Sequence, residues 1–328
     1  MLVPLIRTLQ ANYPQARLTW IIAQPAYALV EGMSDIEFIL IDKPSGLADY
    51  WHFARTMSSR HFDVLLATQA SFRANLLYPL IRAKRKIGYD RLRAKDGHGW
   101  FVKETIPPGN DHTLDGFMKF AETLGINHRV ISWDLPISDD DYDWAKQHLP
   151  LDRKKPIILV NPAASKPERS WLIERYIAVI RYLQQRWQAQ VILVGGPGEF
   201  DKSLANHIVN EVEVLNLVGK TRPKQLLAMI DSADLLICPD TGPAHMASAV
   251  STPVVALHAV TSSDVSGPYI YRHLAVDFYS QARETILGKT AENNVWGTHA
   301  HGTDTMALIT VDAVIAKLEQ VLSQVKSR

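Results

Sequence analysis

The 328-residue sequence has little of three features that would place it in a specialised class of protein. It has a single cysteine, Cys238, which excludes an internal disulfide and favours a reducing compartment. No apolar run approaches the ~20 residues that a membrane-spanning helix needs, and the first apolar residues precede Arg7, the reverse of the order in a signal peptide. The formal net charge is only +1, which gives no global attraction for nucleic acid. We therefore expect a cytoplasmic protein that does not bind nucleic acid.

Several catalytic and cofactor motifs are also missing. The sequence contains no G-x-x-x-x-G-K-[ST] phosphate loop, no G-x-G-x-x-G dinucleotide fingerprint and no G-x-S-x-G nucleophile elbow. Cysteine and histidine do not recur at metal-ligand spacing, and His299 and His301 lie in a polar loop without an evident third ligand. The sequence therefore predicts no metal site and no cofactor.

Short β-branched runs alternate with helical patterns along the whole chain. The runs lie at residues 18–23, 38–41, 64–67, 157–160, 190–194, 235–238 and 253–257. Such alternation predicts parallel βαβ units and an α/β fold. The stretch 149–156 (LPLDRKKP) has two prolines, four charges and no periodicity. We place the linker there, between domains at residues 1–150 and 151–328.

The most informative segment is residues 238–249, which follow a buried strand and open a helix rich in small residues. Gly242 permits a ligand to approach the backbone closely. Free N–H groups at the helix start favour a phosphate, and Thr241 and His245 add polar side chains there. The alternative is that Asp240 and Thr241 only cap the helix and that His245 is a core residue.

Two other strand ends carry polar loops. Residues 161–171 combine small residues with the hydroxyl of Ser165 and the cation of Arg169, as a pyrophosphate pocket requires. The alternative is a solvated loop in which Ser170 caps the next helix. Glu199 ends a glycine-rich turn and suits hydrogen bonds to ribose hydroxyls or an adenine edge, although a lone turn of this kind is usually structural.

Cations are concentrated in one stretch of the first half. Between residues 82 and 95 there are seven of them against one acid, Asp90. One interpretation is a solvated face, and the other is a binding site for an anionic acceptor. The candidate acceptor-binding residues are Arg82, Lys84, Arg85, Lys86 and Arg91.

Together these segments resemble glycosyltransferase family 9, the heptosyltransferases of lipopolysaccharide core assembly. The family signature D-[ST]-G-x-x-H-x-A is matched by residues 240–247, and residues 255–269 (VALHAVTSSDVSGPY) resemble the block that follows it. Residues 304–314 resemble the segment before the last helix. The resemblance covers nearly the whole chain.

The resemblance implies a GT-B fold, in which two Rossmann-like domains face each other across a cleft. It also implies an inverting transfer of heptose from ADP-heptose to a phosphorylated lipid A–core acceptor, without a cofactor, in which Arg169 and His245 stabilise the leaving group. Arg169 stands where the family usually has Lys, and Ala259 where it usually has Gly. By position, the donor-binding residues are Ser165, Arg169, Glu199, Asp240, Thr241, Gly242 and His245.

The start of the chain departs from the family pattern. The family opens with a strand and an S-x-G-D loop, whose Asp is the proposed general base, followed by a helix with an early proline. Residues 1–9 match that helix, so the first strand of the N-terminal domain is missing and no catalytic base is named. Three hypotheses stay open: an active heptosyltransferase, a nucleotide-sugar-binding protein without transfer activity, and another GT-B enzyme such as a sugar epimerase. We expect a monomer that reaches the inner-membrane surface.

Overall fold

The computed structural model describes residues 1–149 and 154–325. The chain separates into two compact units, Met1–Pro136 and Ile137–Arg328. The boundary between the units therefore follows Pro136, whereas the sequence predicts a boundary after residue 150. The predicted linker, residues 149–156, falls partly outside the described residues.

The helix Asp139–His148 explains the earlier division, because it packs on the second unit. The Tyr142 hydroxyl donates to the Asp231 carboxylate at 2.6 Å. Ala145 and Leu149 are buried in the apolar core of that unit. The helix is charged and amphipathic, so its sequence alone does not show which core it covers.

The first unit consists of parallel strands and the helices that connect them. Its strands are β1 (Leu18–Ala23), β2 (Ile36–Ile41), β3 (Phe62–Leu66), β4 (Ala83–Gly88) and β5 (Glu104–Thr105). Its helices are α1 (Val3–Asn12), α2 (Gln24–Val30), α3 (Leu47–Met57), α4 (Phe72–Asn75) and α5 (Thr113–Thr123). The strands form two separate sheets, β1-β2 and β3-β4-β5.

A buried ion pair holds the segment between β4 and β5. Arg93 Nη1 donates to Asp90 Oδ2 at 2.9 Å, and both side chains are at most 4% exposed. Arg93 Nη2 also reaches Asp111, just before α5, at 3.0 Å. In the same segment the ring of His98 is buried, and its Nδ1 lies 2.7 Å from Oδ1 of Asn75, the last residue of α4. These contacts fix the loop, because buried charges and polar groups are tolerated only when they are paired.

The second unit is built on one six-stranded parallel sheet. Its strands are β6 (Ile157–Val160), β7 (Gln190–Leu193), β8 (Leu215–Asn216), β9 (Leu235–Pro239), β10 (Val254–His258) and β11 (Val276–Asp277), in the order β11-β10-β9-β6-β7-β8. Its helices are α6 (Asp139–His148), α7 (Ile173–Trp187), α8 (Glu199–Glu211), α9 (Pro223–Asp231), α10 (Gly242–Ala249), α11 (Ser263–Ser266), α12 (Tyr279–Leu287) and α13 (Val311–Val325). Among the described residues, no helix of either unit is long and apolar enough to cross a membrane.

The central strands of this sheet are covered on both faces. Every residue of β6, β9 and β10 is buried. Ile158 faces a core shared with α7 and α13, whereas Ile157 and Leu159 face a core shared with α9 and α10. Strands of this kind carry continuous apolar runs, because neither face meets water. Cys238, in β9, lies in the second of these cores, and burial raises the pKa of its thiol to about 12.

The order of strands reverses at β6. From β6 the chain runs through α7 to β7 and β8 on one side, and it returns through α9 to β9 on the other. Val160 is in register with both Leu193 and Ile237, so the carboxyl ends of these three strands are nearly level. Open α/β sheets bind ligands beside such a reversal, at the carboxyl ends of the strands. The loops after β6 and β9 are therefore the expected ligand-binding loops of this unit.

The substitution Asp90→Asn removes the carboxylate of the buried pair with Arg93 and keeps the contact of Arg93 with Asp111. We expect the first unit to lose about 3–5 kcal/mol of its free energy of unfolding, because a buried guanidinium is left poorly compensated. Hydrogen exchange of the α5 amides measures this loss. Asp63→Asn is the control, since Asp63 pairs with Lys84 in solvent, and it should leave exchange unchanged. Equal effects of the two substitutions would contradict the prediction.

Candidate functional site

The loops after β6, β7 and β9 meet at the side chain of Asn161. Asn161 is buried, and its Nδ2 donates to Ala163 O at 3.1 Å and to Thr241 Oγ1 at 3.3 Å. A Cβ added to Gly195 would lie only 3.1 Å from Asn161 Oδ1, so the glycine turn after β7 packs against the same side chain. Because Gly195 has no side chain, the turn can pack this closely against Asn161. Asn161 was not among the predicted site residues, although it directly follows a predicted strand.

Asp240 is the centre of a polar cluster beside this junction. Its Oδ2 accepts hydrogen bonds from Arg169 Nη2 at 2.8 Å, from Thr261 Oγ1 at 2.6 Å and from Ser266 Oγ at 3.1 Å. Arg169 Nη2 also donates to the backbone oxygen of Asp240 at 2.9 Å. The Asp240 side chain is only 11% exposed. These four residues, Asp240, Arg169, Thr261 and Ser266, are called the Asp240 cluster below.

The surroundings of Asp240 keep it ionised. Burial raises its pKa, but the charge of His258, the Thr261 hydroxyl and the charges of Arg169 and His245 together outweigh burial and lower the pKa below its usual value of 3.8. The carboxylate thus remains negative at neutral pH. Its charge balances Arg169 and holds that guanidinium in place.

The start of α10 is open for an anion. Thr241 has extended backbone at the N-cap position, and its hydroxyl donates to Pro239 O at 3.2 Å and does not cap the helix. Gly242 is exposed, and a Cβ added to it would meet nothing within 4 Å. The first N–H groups of a helix carry a partial positive charge and bind phosphates when nothing else caps them. The alternative of a simple Asp240-Thr241 cap is therefore wrong.

His245 lies in the first turns of α10 and is half-buried, so it is not a core histidine. Its charge is close enough to lower the pKa of Asp240. The imidazole is thus near the carboxylate of the Asp240 cluster, and its predicted role toward the diphosphate stays a prediction.

The loop after β6 presents Arg169 to the cluster and Ser165 to solvent. Arg169 ends a short 3-10 turn and its side chain is 19% exposed. Ser165 is exposed. Ser170 accepts a hydrogen bond from the Ala164 N–H at 2.8 Å and does not cap α7. The capping role that the alternative gave to Ser170 is therefore wrong, whereas residues 165–167 of this loop are exposed to solvent.

Glu199 is the first residue of α8, and its side chain is 93% exposed. Lys202 Nζ lies 3.2 Å from its carboxylate. Glu199 follows β7, so it belongs to the same edge of the sheet as the Asp240 cluster, but it makes no contact with the members of that cluster. Its predicted role toward the nucleoside stays a prediction.

Thr261, Ser266 and His258 complete the site and were not predicted from the sequence. Thr261 and Ser266 lie 21 and 26 residues after Asp240 and reach it because β10 runs parallel to β9. His258 is 1% exposed, and its Nδ1 lies 3.4 Å from Thr261 Oγ1. Because Thr261 Oγ1 donates to Asp240, it can accept from His258 Nδ1. His258 ends β10 and the other two residues follow it, and all three lie within residues 255–269, which resemble a family block.

The cations of residues 82–95 do not form one face of the first unit. Along β4 alternate side chains point to opposite sides, and Lys84 pairs with Asp63 at 2.6 Å while Arg85 pairs with Glu104 at 2.6 Å. Lys86 is half-buried, donates to Tyr78 O at 2.7 Å, and has its pKa lowered by burial. Acids from elsewhere in the chain thus balance two of the seven cations, Lys84 and Arg85, and Asp111 contributes to balancing Arg93.

Arg82 and Arg91 lie at opposite ends of β4. Arg82 precedes the strand and Arg91 follows it, and both are exposed. Only Arg91 is therefore on the side to which the carboxyl ends of the parallel strands point, where α/β domains bind their ligands. The acceptor-binding role of all five cations stays a prediction.

Metal-binding groups are absent from residues 1–149 and 154–325, where no three His, Cys, Asp or Glu side chains are close enough to hold an ion. The rings of His299 and His301 are 5.4 Å apart. His301 Nδ1 lies 3.6 Å from Glu168 Oε1.

The charge of Asp240 gives the second unit a pH-dependent stability. Because its folded pKa lies below the usual 3.8, the contribution is present above that value and is lost as the pH falls through the folded pKa. Asp240→Asn should lower the free energy of unfolding at neutral pH, and the difference from the unsubstituted chain should shrink below about pH 4. Urea unfolding at a series of pH values measures this. Asp264→Asn, which changes an exposed carboxylate, is the control; a deficit for Asp240→Asn that persists at about pH 2 would refute the assignment.

The comparison with known sequences gives the family. Residues 50–292 match the model of Glycosyltransferase family 9 (heptosyltransferase). Lipopolysaccharide core heptosyltransferase OpsX of Haemophilus influenzae is 34% identical over 318 residues, which cover 96% of this chain and 91% of that protein.

Solved structures give the same fold. The glycosyl transferase family 9 protein of Veillonella parvula has a TM-score of 0.79 at 20% identity, over 98% of this chain and 93% of that chain. The E. coli ADP-heptose lps heptosyltransferase II has a TM-score of 0.71 at 20% identity, over 99% of this chain and 95% of that chain. These similarities confirm the predicted α/β fold of the GT-B class. Matched by the family model over most of its length and by a relative over nearly all of it, the chain belongs to glycosyltransferase family 9, the heptosyltransferases.

Proposed function

We propose that this chain binds ADP-heptose at the Asp240 cluster and transfers the heptose, with inversion, to a lipopolysaccharide inner-core acceptor. The observation that carries the proposal is the open start of α10 beside an arginine that a buried carboxylate holds in place. The names of two similar proteins support the substrates: one is a lipopolysaccharide core heptosyltransferase, and the other is an ADP-heptose enzyme.

The transfer breaks the bond between the anomeric carbon and a diphosphate oxygen and forms a bond to the acceptor oxygen, whose proton is released. The leaving ADP gains negative charge in the transition state, and fixed donors aimed at that charge accelerate the reaction. The first N–H groups of α10 and the guanidinium of Arg169 are such donors, and His245 can add a third. These groups supply the stabilisation without a metal or another cofactor.

Ser165 and Glu199 complete the proposed donor site. The hydroxyl of Ser165 is exposed next to the Arg169 turn and suits a phosphate oxygen. The exposed carboxylate of Glu199 suits the hydroxyls of a ribose. Both residues stand in loops at the same sheet edge as α10, where a nucleotide can contact several loops at once.

The acceptor side is proposed to lie in the first unit, with contact to the inner-membrane surface. Five large apolar side chains of this unit are at least 50% exposed, namely Leu47, Trp51, Phe72, Leu92 and Trp100. Arg55 stacks over the Trp51 ring at 5.7 Å, and Arg91 adjoins Leu92. Apolar side chains beside cations suit an anionic lipid surface and a phosphorylated lipid acceptor. We propose that the protein works there as a monomer.

The test is incubation of the purified chain with ADP-heptose and a heptose-deficient lipopolysaccharide core. Release of ADP together with a mass increase of one heptose on the core supports the proposal. Binding of ADP-heptose in calorimetry without transfer supports the alternative of a donor-binding protein, since no base is named in residues 1–328 and a general base typically contributes about 10²–10⁴-fold. If ADP-heptose does not bind, both are wrong.

Gly242→Ala tests the open start of α10. The added methyl meets nothing within the protein, so the fold should be unaffected, whereas a diphosphate bound to the helix start would be pushed away. We expect ADP to bind at least about tenfold more weakly, a change of about 1.4 kcal/mol, with an unchanged melting temperature. Gly99→Ala is the control, because a Cβ there also meets nothing within 4 Å. Unchanged ADP affinity in Gly242→Ala would place the diphosphate elsewhere.

Arg91→Gln tests the acceptor side. We expect a several-fold higher KM for the core acceptor and an unchanged Kd for ADP-heptose, because each contact between an arginine and a phosphate oxygen is a charge-assisted hydrogen bond. Arg82→Gln removes the same charge at the opposite end of β4 and is the matched control. Equal effects of both substitutions would mean that only net charge attracts the acceptor.

A further inference from the structure

A buried histidine lies next to the Asp240 cluster. His258 ends β10 and is 1% exposed. Its Nδ1 lies 3.4 Å from Thr261 Oγ1, and Thr261 Oγ1 lies 2.6 Å from Asp240 Oδ2. After burial, which raises the pKa of Asp240, the charge of His258 is the strongest influence on that pKa and lowers it. The three side chains thus form one chain of contacts that runs from the end of a buried strand to the carboxylate.

The direction of the hydrogen bonds in this chain is fixed at its carboxylate end. An ionised carboxylate only accepts hydrogen bonds, so the Thr261 hydroxyl gives its single proton to the bond with Asp240. Toward His258, the oxygen of Thr261 can then only accept. Nδ1 of His258 must therefore carry a proton, as it does in one of the two neutral tautomers and in the imidazolium ion.

The other nitrogen of the His258 ring, Nε2, is buried and has no hydrogen-bond partner in residues 1–149 and 154–325. A buried nitrogen without a partner costs free energy. A phenylalanine side chain is similarly flat and would fill this place without that cost. Packing alone therefore does not account for a histidine at position 258, whereas the contact of Nδ1 with Thr261 does.

The backbone of the loop after β10 is held by a different carboxylate. Asp277, which is in register with His258 on the neighbouring strand β11, accepts from the Ser263 N–H at 2.7 Å and from the Ser263 hydroxyl at 2.6 Å. The Gly267 N–H donates to Ser263 O at 2.8 Å. We therefore expect the loop to keep its course when Nδ1 of His258 is removed, and the effect of that removal to fall on the Thr261 hydroxyl.

We propose that His258 is a positioning residue of the donor site. Its Nδ1–H holds Thr261 in the orientation in which the hydroxyl donates to Asp240, and Asp240 in turn holds the guanidinium of Arg169. This role rests on the proposed function, in which Arg169 faces the diphosphate of ADP-heptose. His258 itself is buried and touches no substrate. Loss of its Nδ1–H thus weakens donor binding and leaves acceptor binding unchanged.

The first test is a double-mutant cycle of His258→Phe and Thr261→Val, with the Kd for ADP-heptose as the readout. His258→Phe should weaken binding about tenfold, because it breaks the chain of contacts that ends on Arg169. If His258 acts through Thr261, the two substitutions together weaken binding no more than Thr261→Val alone. Effects of the two single substitutions that multiply in the double variant would show independent contributions and overturn the proposal.

Rescue by a conservative variant separates the hydrogen bond from the shape of the ring. His258→Asn places an amide N–H close to the position of Nδ1, so it should bind ADP-heptose within about twofold of the unsubstituted chain. The KM for the core acceptor should not change in any of these variants. His207→Asn, on the exposed side of α8, is the matched control and should change neither constant. Binding by His258→Asn that is as weak as by His258→Phe, or an acceptor KM that rises with the donor Kd, overturns the proposal.

The second test measures the His258 ring in the unsubstituted chain, so it holds even if His258→Phe fails to fold. Long-range ¹H–¹⁵N spectra of the chain with ¹⁵N-labelled histidine show which ring nitrogen carries the proton, and the His258 signal is the one that His258→Asn removes. A proton on Nδ1 is expected. A proton on Nε2 alone overturns the proposal, because Nδ1 could then not donate to Thr261. The spectra need no ADP-heptose, so failure of the proposal is distinguishable from failure of the proposed function, which appears as no binding of ADP-heptose by the unsubstituted chain.

Discussion

The second unit depends on one buried carboxylate. Asp240 is removed from most solvent, and a carboxylate in that position is tolerated only when donors replace its lost water. Three side chains provide them, Arg169 from the loop after β6 and Thr261 and Ser266 from the segment after β10. The requirement to satisfy one oxygen thus ties together loops that are far apart in the sequence.

The topology of the sheet by itself places these loops at one edge. Parallel strands end at one edge, and the reversal of strand order at β6 separates the loops after β6 and β9 enough to admit a ligand. Asn161 then sets the distance between those loops through its bond to Thr241 and its contact with the turn at Gly195. Helix α10 begins at this junction, so its partial positive charge points to the place where the loops meet.

The fold class and the main loops of the site could be predicted from the sequence, because both follow from local patterns. Apolar runs mark the strands, and Asp240 to His245 form a compact motif at the end of one of them. Thr261 and Ser266 could not be predicted, since serine and threonine are common in loops and only the pairing of β9 with β10 brings these two to Asp240. Asn161 was not predicted either, because only the pairing of β6 with β9 brings it to Thr241.

Two features of the sequence can be interpreted only with contacts between distant segments. The cation run of β4 was seen as an excess of charge because Asp63 and Glu104, which neutralise Lys84 and Arg85, lie outside it in the sequence. The domain boundary was placed after the helix Asp139–His148 because its apolar stripe fits either core, and only the contact of Tyr142 with Asp231 assigns it.

The position of Cys238 makes its thiol a native probe of local opening in the second unit. It is the only cysteine of the chain, it is fully buried in β9, and it lies two residues before Asp240. A thiol with its pKa raised to about 12 is almost entirely protonated near neutral pH and reacts with alkylating reagents only when the surrounding sheet opens. The rate of labelling by such a reagent therefore measures how often β9, the strand that leads into the candidate site, becomes exposed to solvent. The measurement uses the native chain and needs no engineered probe.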